Sequence, residues 1–210
     1  MIILDVEYLE YWQIANESAK FLNKNKANSI PIPIEHIIEY NYGINIVPLP
    51  GLLDLYGVDG FISSDFSSIY VDNFIYEHRY YRYRYTLAHE IGHLILHKKY
   101  LRNCQFSNID EWKNFYNEID QRDHSKMEFQ GYAFGGLVLA PQLKLKKYFK
   151  KYLPQVMPLV KQAQSKGVKR ENYLIYVKDS LATVLSPIFE ASTDVLNRRI
   201  EFDLLDAMIP

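Results

Sequence analysis

Thr86-Leu-Ala-His-Glu-Ile-Gly-His-Leu-Ile-Leu-His97 is the stretch on which the reading of this chain turns. On an α-helix, residues four apart lie about 40° apart around the axis and one turn apart along it. His89 and His93 can therefore reach a single metal ion, with Glu90 beside them as general base for a metal-activated water. The flanks Leu87, Ala88, Ile91, Leu94, Ile95 and Leu96 leave little of this helix for solvent. Buried His and Glu side chains need partners, and a zinc ion supplies them. Gly92 costs about 1 kcal/mol against Ala in a helix and suits a place where another segment approaches closely. His97 continues the series, yet it lies about 12 Å from His89 along the axis, too far to share one tetrahedral ion. It reads as a residue that supports a ligand or closes the helix end. The extended metzincin pattern would need Gly at 96 and His at 99, where this chain has Leu96 and Lys99.

Zinc in a hydrolase wants three protein ligands and one open position. Residues 123–139 read as a second helix, ended by Pro141, with Met127, Gly131, Phe134, Val138 and Leu139 as its inward stripe. Glu128 stands between Met127 and Phe129, an odd place for a charge without a partner. His124, one turn earlier on the same face, competes with it for the third ligand position. Asp120 and Asp123 read as solvated loop residues.

Several segments, in order, resemble the ImmA/IrrE family of zinc-dependent metallopeptidases. Residues 33–47, Pro-Ile-Glu-His-Ile-Ile-Glu-Tyr-Asn-Tyr-Gly-Ile-Asn-Ile-Val, are similar to its short helix, glycine turn and first strand. Ser68–Asp72 resembles the strand before the active-site helix. Arg84–His97 is close to R-F-T-x-A-H-E-[IL]-G-H-x-x-L-H, and Glu128–Pro141 resembles E-x-[EQ]-A-[ND]-x-F-A-x-x-L-L-M-P. The resemblance implies that His89, His93 and Glu128 hold Zn²⁺, with Mn²⁺ an alternative because a His₂Glu site accepts both. It also implies a substrate that is a repressor or other transcriptional regulator, cut in response to stress or to induction of a mobile element. Two positions depart from the pattern. Gly131 replaces Ala, and Tyr132 replaces an Asn or Asp that could accept the second N–H of a ligand imidazole.

The remaining sequence sets bounds. The chain has 210 residues, a net charge of -1 and one cysteine, Cys104. That charge gives no global pull toward nucleic acid or anionic lipid, and one thiol excludes an internal disulfide framework. No apolar run approaches a membrane span, so a cytoplasmic protein is expected. Periodicity predicts a helix over 5–26, strands over 44–49, 60–63, 68–72 and 74–76, and breaks at Pro154, Pro158 and Gly167. Ser68–Asp72 is the candidate edge strand for an extended substrate. Tyr80-Tyr-Arg-Tyr-Arg-Tyr85 reads as the approach to the zinc helix, with alternate Tyr packed and Arg solvated rather than stacked on bases. One of these Tyr or Arg side chains is a candidate oxyanion donor. Leu143–Lys151 predicts an amphipathic helix with a solvated basic face. Residues 185–200 resemble a helix-turn-helix-like element of the family, with Ser192 as N-cap and Val195, Leu196 and Ile200 inward. Packing or partner docking is favoured there over DNA contact.

The expected fold is α+β: a small antiparallel sheet packed on a zinc-binding HExxH helix and a second ligand helix (zincin-like), with a C-terminal helical, helix-turn-helix-like extension. Its expected divisions are an N-terminal helix (1–29), a metallopeptidase core (30–152) and the extension (153–210). The expected function is a zinc-dependent endopeptidase acting on a protein substrate. Glu90 is its catalytic residue, His89, His93 and Glu128 hold the metal, and His97, His124 and Tyr132 stand beside them. Two alternatives stay open: a regulatory DNA- or protein-binding protein with a structural or degenerate zinc site, and zinc hydrolysis of a non-peptide amide.

Overall fold

Strand formation begins after the glycine turn at Gly43, whose φ of +66° is left-handed. In the computed structural model, which describes residues 1–104, 106 and 108–210, three short strands follow: β1 (Asn45–Leu49), β2 (Gly60–Ile62) and β3 (Ser68–Asp72). Their order is β1-β3-β2, with β3 parallel to β1 and antiparallel to β2. The sheet is therefore mixed, not wholly antiparallel as expected. The chain leaves β1 through a short helix, α3 (Leu52–Tyr56), before β2 and β3 form a hairpin, so β3 returns alongside β1 in the same direction. Asp65 closes that hairpin, accepting from Ser63 Oγ at 2.6 Å and from the Ser67 N–H at 3.0 Å. β3 is consequently the central strand, not an edge, and the two edges are β1 and β2.

The strand expected at 74–76 is instead part of a helix, α4 (Asn73–His78). Asp72 starts it: its carboxylate accepts from the N–H groups of Phe74 at 2.9 Å and Ile75 at 3.3 Å, an N-cap that outweighs the aromatic and β-branched content of the segment. The long helix α5 (Tyr80–Leu101) follows and already contains the Tyr/Arg run. Helical period replaces the expected alternation there. Tyr83 and Arg84 are both buried while Arg82 is exposed, and the Arg84 guanidinium donates to the Ile32 carbonyl at 2.7 Å.

The N-terminal helix α1 (Tyr11–Lys24) is shorter than the periodicity of residues 5–26 suggests. Residues 4–6 are not helical: Asp5 is left-handed at φ +51°, and Asp123 holds the N–H groups of Leu4 and Asp5 at 2.9 Å and of Val6 at 3.0 Å. Asp123 is thus buried, not solvated, and it sits in the first turn of α7 (Gln121–Leu139). Two smaller helices, α2 (Ile34–His36), continued by a π-helical turn at Ile37–Asn41, and α6 (Ile109–Glu118), complete this unit, Met1–Val138.

A second compact unit, Leu139–Pro210, is helical: α8 (Gln142–Ser165), α9 (Arg170–Phe189) and α10 (Thr193–Phe202). Leu145, Phe149, Val156 and Val160 form the inward stripe of α8, while Lys144, Lys146, Lys147, Lys150 and Lys151 stay exposed. Pro154 and Pro158 do not break it. Both lie on its exposed face, so each lost backbone bond is offset by burial of the opposite stripe. Gly167, at φ +69°, follows the helix end as expected. Ser192 caps α10 by accepting from the Val195 N–H at 3.3 Å, and Val195, Leu196 and Ile200 are buried. Among the described residues, no helix is long and apolar enough to cross a membrane.

Candidate metal centre

α5 and α7 run close together because glycines meet at their contact. A Cβ on Gly92 would come within 3.1 Å of the Phe134 ring, and one on Gly135 within 3.2 Å of the His89 backbone N. The close approach that Gly92 implied is made by Phe134. At Gly131 an added Cβ would lie 2.9 Å from His89 Cε1 and 3.2 Å from His93 Nε2. The helices touch at the two histidines themselves.

That contact brings His89, His93 and Glu128 together, with one ligand atom from each within 4.8 Å of the others. The Nε2 atoms of His89 and His93 are 2.9 Å apart, and each lies 3.6 Å from an oxygen of Glu128. Bonds of about 2.0–2.1 Å to a tetrahedral ion would separate ligand atoms by about 3.3 Å, so the set fits zinc with a small widening of the imidazole pair. His124 takes a different place. Its Nε2 lies 4.0 Å from Glu128 Oε1 and its ring meets Tyr116 edge-on. Of the two candidates for third ligand, the histidine pair groups with Glu128.

Burial sets the protonation of the site. It pushes the His89 imidazole down to about 3 and His93 well below its ordinary value, so both are neutral bases suited to a cation. Burial raises Glu128 to about 7. Glu90 is raised to about 8 by burial and by Glu128 nearby, against the pull of the Ile62 N–H. Two carboxyls and two imidazoles in one buried place, without a cation, hold protons that a metal would displace.

Glu90 is anchored by one oxygen. Its Oε2 accepts from the Ile62 N–H at 2.9 Å, and Oε1 stands 3.9 Å from His89 Nε2. His97, fully buried, places Nδ1 at 2.9 Å from His93 Nδ1 and Nε2 at 2.9 Å from Gln130 Oε1. Tyr132 lays its ring 4.5 Å from that of His89 and accepts no N–H from it through its side chain; His89 Nδ1 is without a partner. Arg82 and Tyr85 of the Tyr/Arg run border the centre. Arg82 is paired with Asp59 at 2.6 and 2.7 Å, and the Tyr85 hydroxyl donates to the Tyr132 carbonyl at 3.0 Å.

A cleft of about 300 Å³ opens onto the group. Gly60 and Ile62 of β2 line it together with Arg82, Tyr85 and Tyr132, while Leu101, Phe106, Trp112, Phe115 and Met127 form an apolar wall. Sequence reasoning missed Ile62, whose contribution is a backbone N–H that leaves no trace in residue type. It also gave no role to Gln130, although the family pattern quoted above carries Glu or Gln at that position.

No curated protein matches the chain. The family model described as the IrrE N-terminal-like domain, Peptidase_M78, matches residues 42–201, which include both ligand helices. With the metal-binding group formed by the residues that carry the resemblance, and the match running through most of its length, the chain belongs to the ImmA/IrrE family, whose members are metallopeptidase-like.

Proposed function

We propose that this protein is a zinc-dependent endopeptidase that cuts a specific protein, a DNA-binding repressor or another transcriptional regulator, with Glu90 as general base. The observation that carries the reading is the carboxylate of Glu90, held by the Ile62 N–H beside a His89/His93/Glu128 group at the floor of an open cleft. When bound, zinc supplies a Lewis acid and an activated water. Glu90 keeps Oε2 on Ile62 and leaves Oε1 to take a proton and return it to the leaving amine.

β2 supports substrate alignment. Asp72 N–H donates to Asp59 O at 2.8 Å and Ser63 N–H to Ser68 O at 2.9 Å, so odd-numbered residues of the strand face β3. Gly60 and Ile62 turn their backbone groups away from β3; the Ile62 N–H is held by Glu90, and the Gly60 groups and the Ile62 carbonyl are the ones with which an extended peptide can pair. The apolar wall would take a large apolar side chain next to the scissile bond. A structural zinc site is closed by four protein ligands; three donors facing an open cleft favour the catalytic reading.

The test is Glu90→Gln beside Glu128→Ala, each assayed for bound zinc and for cleavage of a peptide library read by mass spectrometry. Glu90→Gln is expected to retain about one zinc and lose cleavage by 10²-fold or more. Glu128→Ala is expected to lose the metal. Cleavage retained by Glu90→Gln would overturn the assignment.

A further inference from the structure

One chain of hydrogen bonds leads away from the metal centre to a part of the protein ahead of the matched family region. The Gln130 side chain, 1% exposed, donates from Nε2 to the Glu7 carbonyl at 2.8 Å. Only the nitrogen of an amide can do this, so its Oε1 faces His97 Nε2, 2.9 Å away. An amide oxygen can only accept, which places the His97 proton on Nε2 and leaves Nδ1 bare. His93 Nδ1, 2.9 Å from that bare nitrogen, must then carry a proton and donate. The consequence reaches His93 Nε2, which is left as a lone pair directed at His89 Nε2 and Glu128.

We propose that Gln130 and His97 form a positioning relay that fixes His93 in the metal-binding tautomer, and that the segment Leu4–Glu7 anchors it through the Glu7 carbonyl. The proposal rests on His93 being a metal ligand. The segment is itself held at every residue. Asp123 takes the N–H groups of Leu4, Asp5 and Val6; Lys126 donates to the Val6 carbonyl at 2.7 Å; and the Tyr100 hydroxyl accepts from the Glu7 N–H at 2.9 Å. Glu7 O is therefore a fixed acceptor, and a fixed acceptor is what defines which end of Gln130 meets His97. The family match begins at residue 42, so this anchor belongs to the chain's own N-terminal segment. Outer partners of ligand imidazoles govern metal affinity by about 10–100-fold.

The experiment is zinc affinity of the full chain by competition with a chromogenic chelator, with ¹⁵N NMR of the histidines. Gln130→Leu removes both ends of the relay and is expected to weaken zinc binding by about 10–100-fold. Gln130→Glu keeps an acceptor for His97 Nε2–H but loses the N–H given to the Glu7 carbonyl, and is expected to fall between the parent protein and Gln130→Leu. The double variant Tyr100→Phe/Lys126→Met loosens the anchor without touching the relay, and is expected to weaken zinc binding by about threefold or more. His97 is expected to show its proton on Nε2, a signature that stays readable even where Gln130→Leu fails to fold. A His97 proton on Nδ1, or Gln130→Leu binding zinc as the parent does, would each overturn the relay. Unchanged affinity in the double variant would overturn the anchor. A parent protein that takes up no zinc would overturn the metal centre together with the relay, whereas normal uptake indifferent to every substitution would overturn the relay alone.

Discussion

His89 lies against two residues that depart from the family pattern. The Tyr132 ring centroid lies 4.5 Å from that of His89, and at Gly131 a Cβ would meet His89 Cε1 at 2.9 Å and Nδ1 at 3.1 Å. Gly131→Ala should therefore move the imidazole, not the helices. Ala favours the helix by about 1 kcal/mol over Gly, so the thermal midpoint is expected to hold or rise while zinc affinity falls by about tenfold or more. Tyr132→Asn should act in the opposite direction, because a side-chain oxygen near the unpartnered His89 Nδ1 could accept its proton. In the double variant Gly131→Ala/Tyr132→Asn, removal of the tyrosine ring gives His89 room to yield, and affinity is expected to exceed that of Gly131→Ala alone. Chelator competition alongside thermal unfolding checks all three, and a Gly131→Ala protein with lower stability but unchanged zinc affinity would contradict the account. At this scale much of the centre was legible. His89 and His93 announce themselves by spacing, while the choice of Glu128 over His124 came from the family resemblance. The Ile62 N–H and the Glu7 carbonyl do not, because backbone groups are the same in every residue.

Helix boundaries follow from side chains that satisfy backbone groups, and these were read unevenly. Ser192 was legible as a cap because it precedes an inward stripe at helical spacing. Asp72 was not, because Phe74, Ile75 and Tyr76 carry strand character that its cap overrides. Asp123 was misread for another reason: its partners are 117–119 residues away in sequence. Burial works to raise its proton affinity, yet the N–H groups of Leu4, Val6 and Asp5 and the charge of Lys126 win, and its carboxyl sits below the ordinary value of 3.8. Three N–H groups would lose a charged acceptor in Asp123→Ala, a loss expected to cost about 2–3 kcal/mol near pH 7. The sign of its pH dependence is fixed by the depressed folded value. The stabilisation is fully present above pH 3.8 and is lost as pH falls through the folded pKa, where folded and unfolded carboxyls are both protonated. Denaturant unfolding of both proteins from pH 7 down to pH 3 should show the difference between them shrinking only at the acid end. A gap of the same size at pH 7 and at the lowest pH would remove Asp123 as the anion holding residues 4–6.

At the scale of the molecule, the mixed sheet and the fate of the basic residues depend on arrangement more than on composition. Strand content was visible in the sequence, but the parallel return of β3 beside β1 depends on where α3 and β2 are interposed. The same holds for charge. The chain carries 24 basic and 25 acidic residues, and α10, the helix that would enter a groove in a helix-turn-helix reading, has Arg199 buried at 3% exposure. Its guanidinium is committed to Asp203 at 2.7 Å and to the Ala140 carbonyl at 3.1 Å, while Asp194 and Glu201 stand exposed on the same helix. Arg198 is the exposed cation of α10, whereas α8 carries a cluster of them, five exposed lysines between Lys144 and Lys151. A surface of lysines without base-reading groups binds phosphate weakly and gives way to salt. Mobility shifts across a salt series should therefore show any DNA retention disappearing by about 0.2 M salt, equally for every sequence tried. Replacing Lys144, Lys147 and Lys151 with Gln should remove what little there is, and Arg198→Ala should change nothing. Sequence-selective binding that survives about 0.2 M salt and is lost in Arg198→Ala would instead make α10 a reading helix, and would move the weight of the function from cleavage toward DNA recognition.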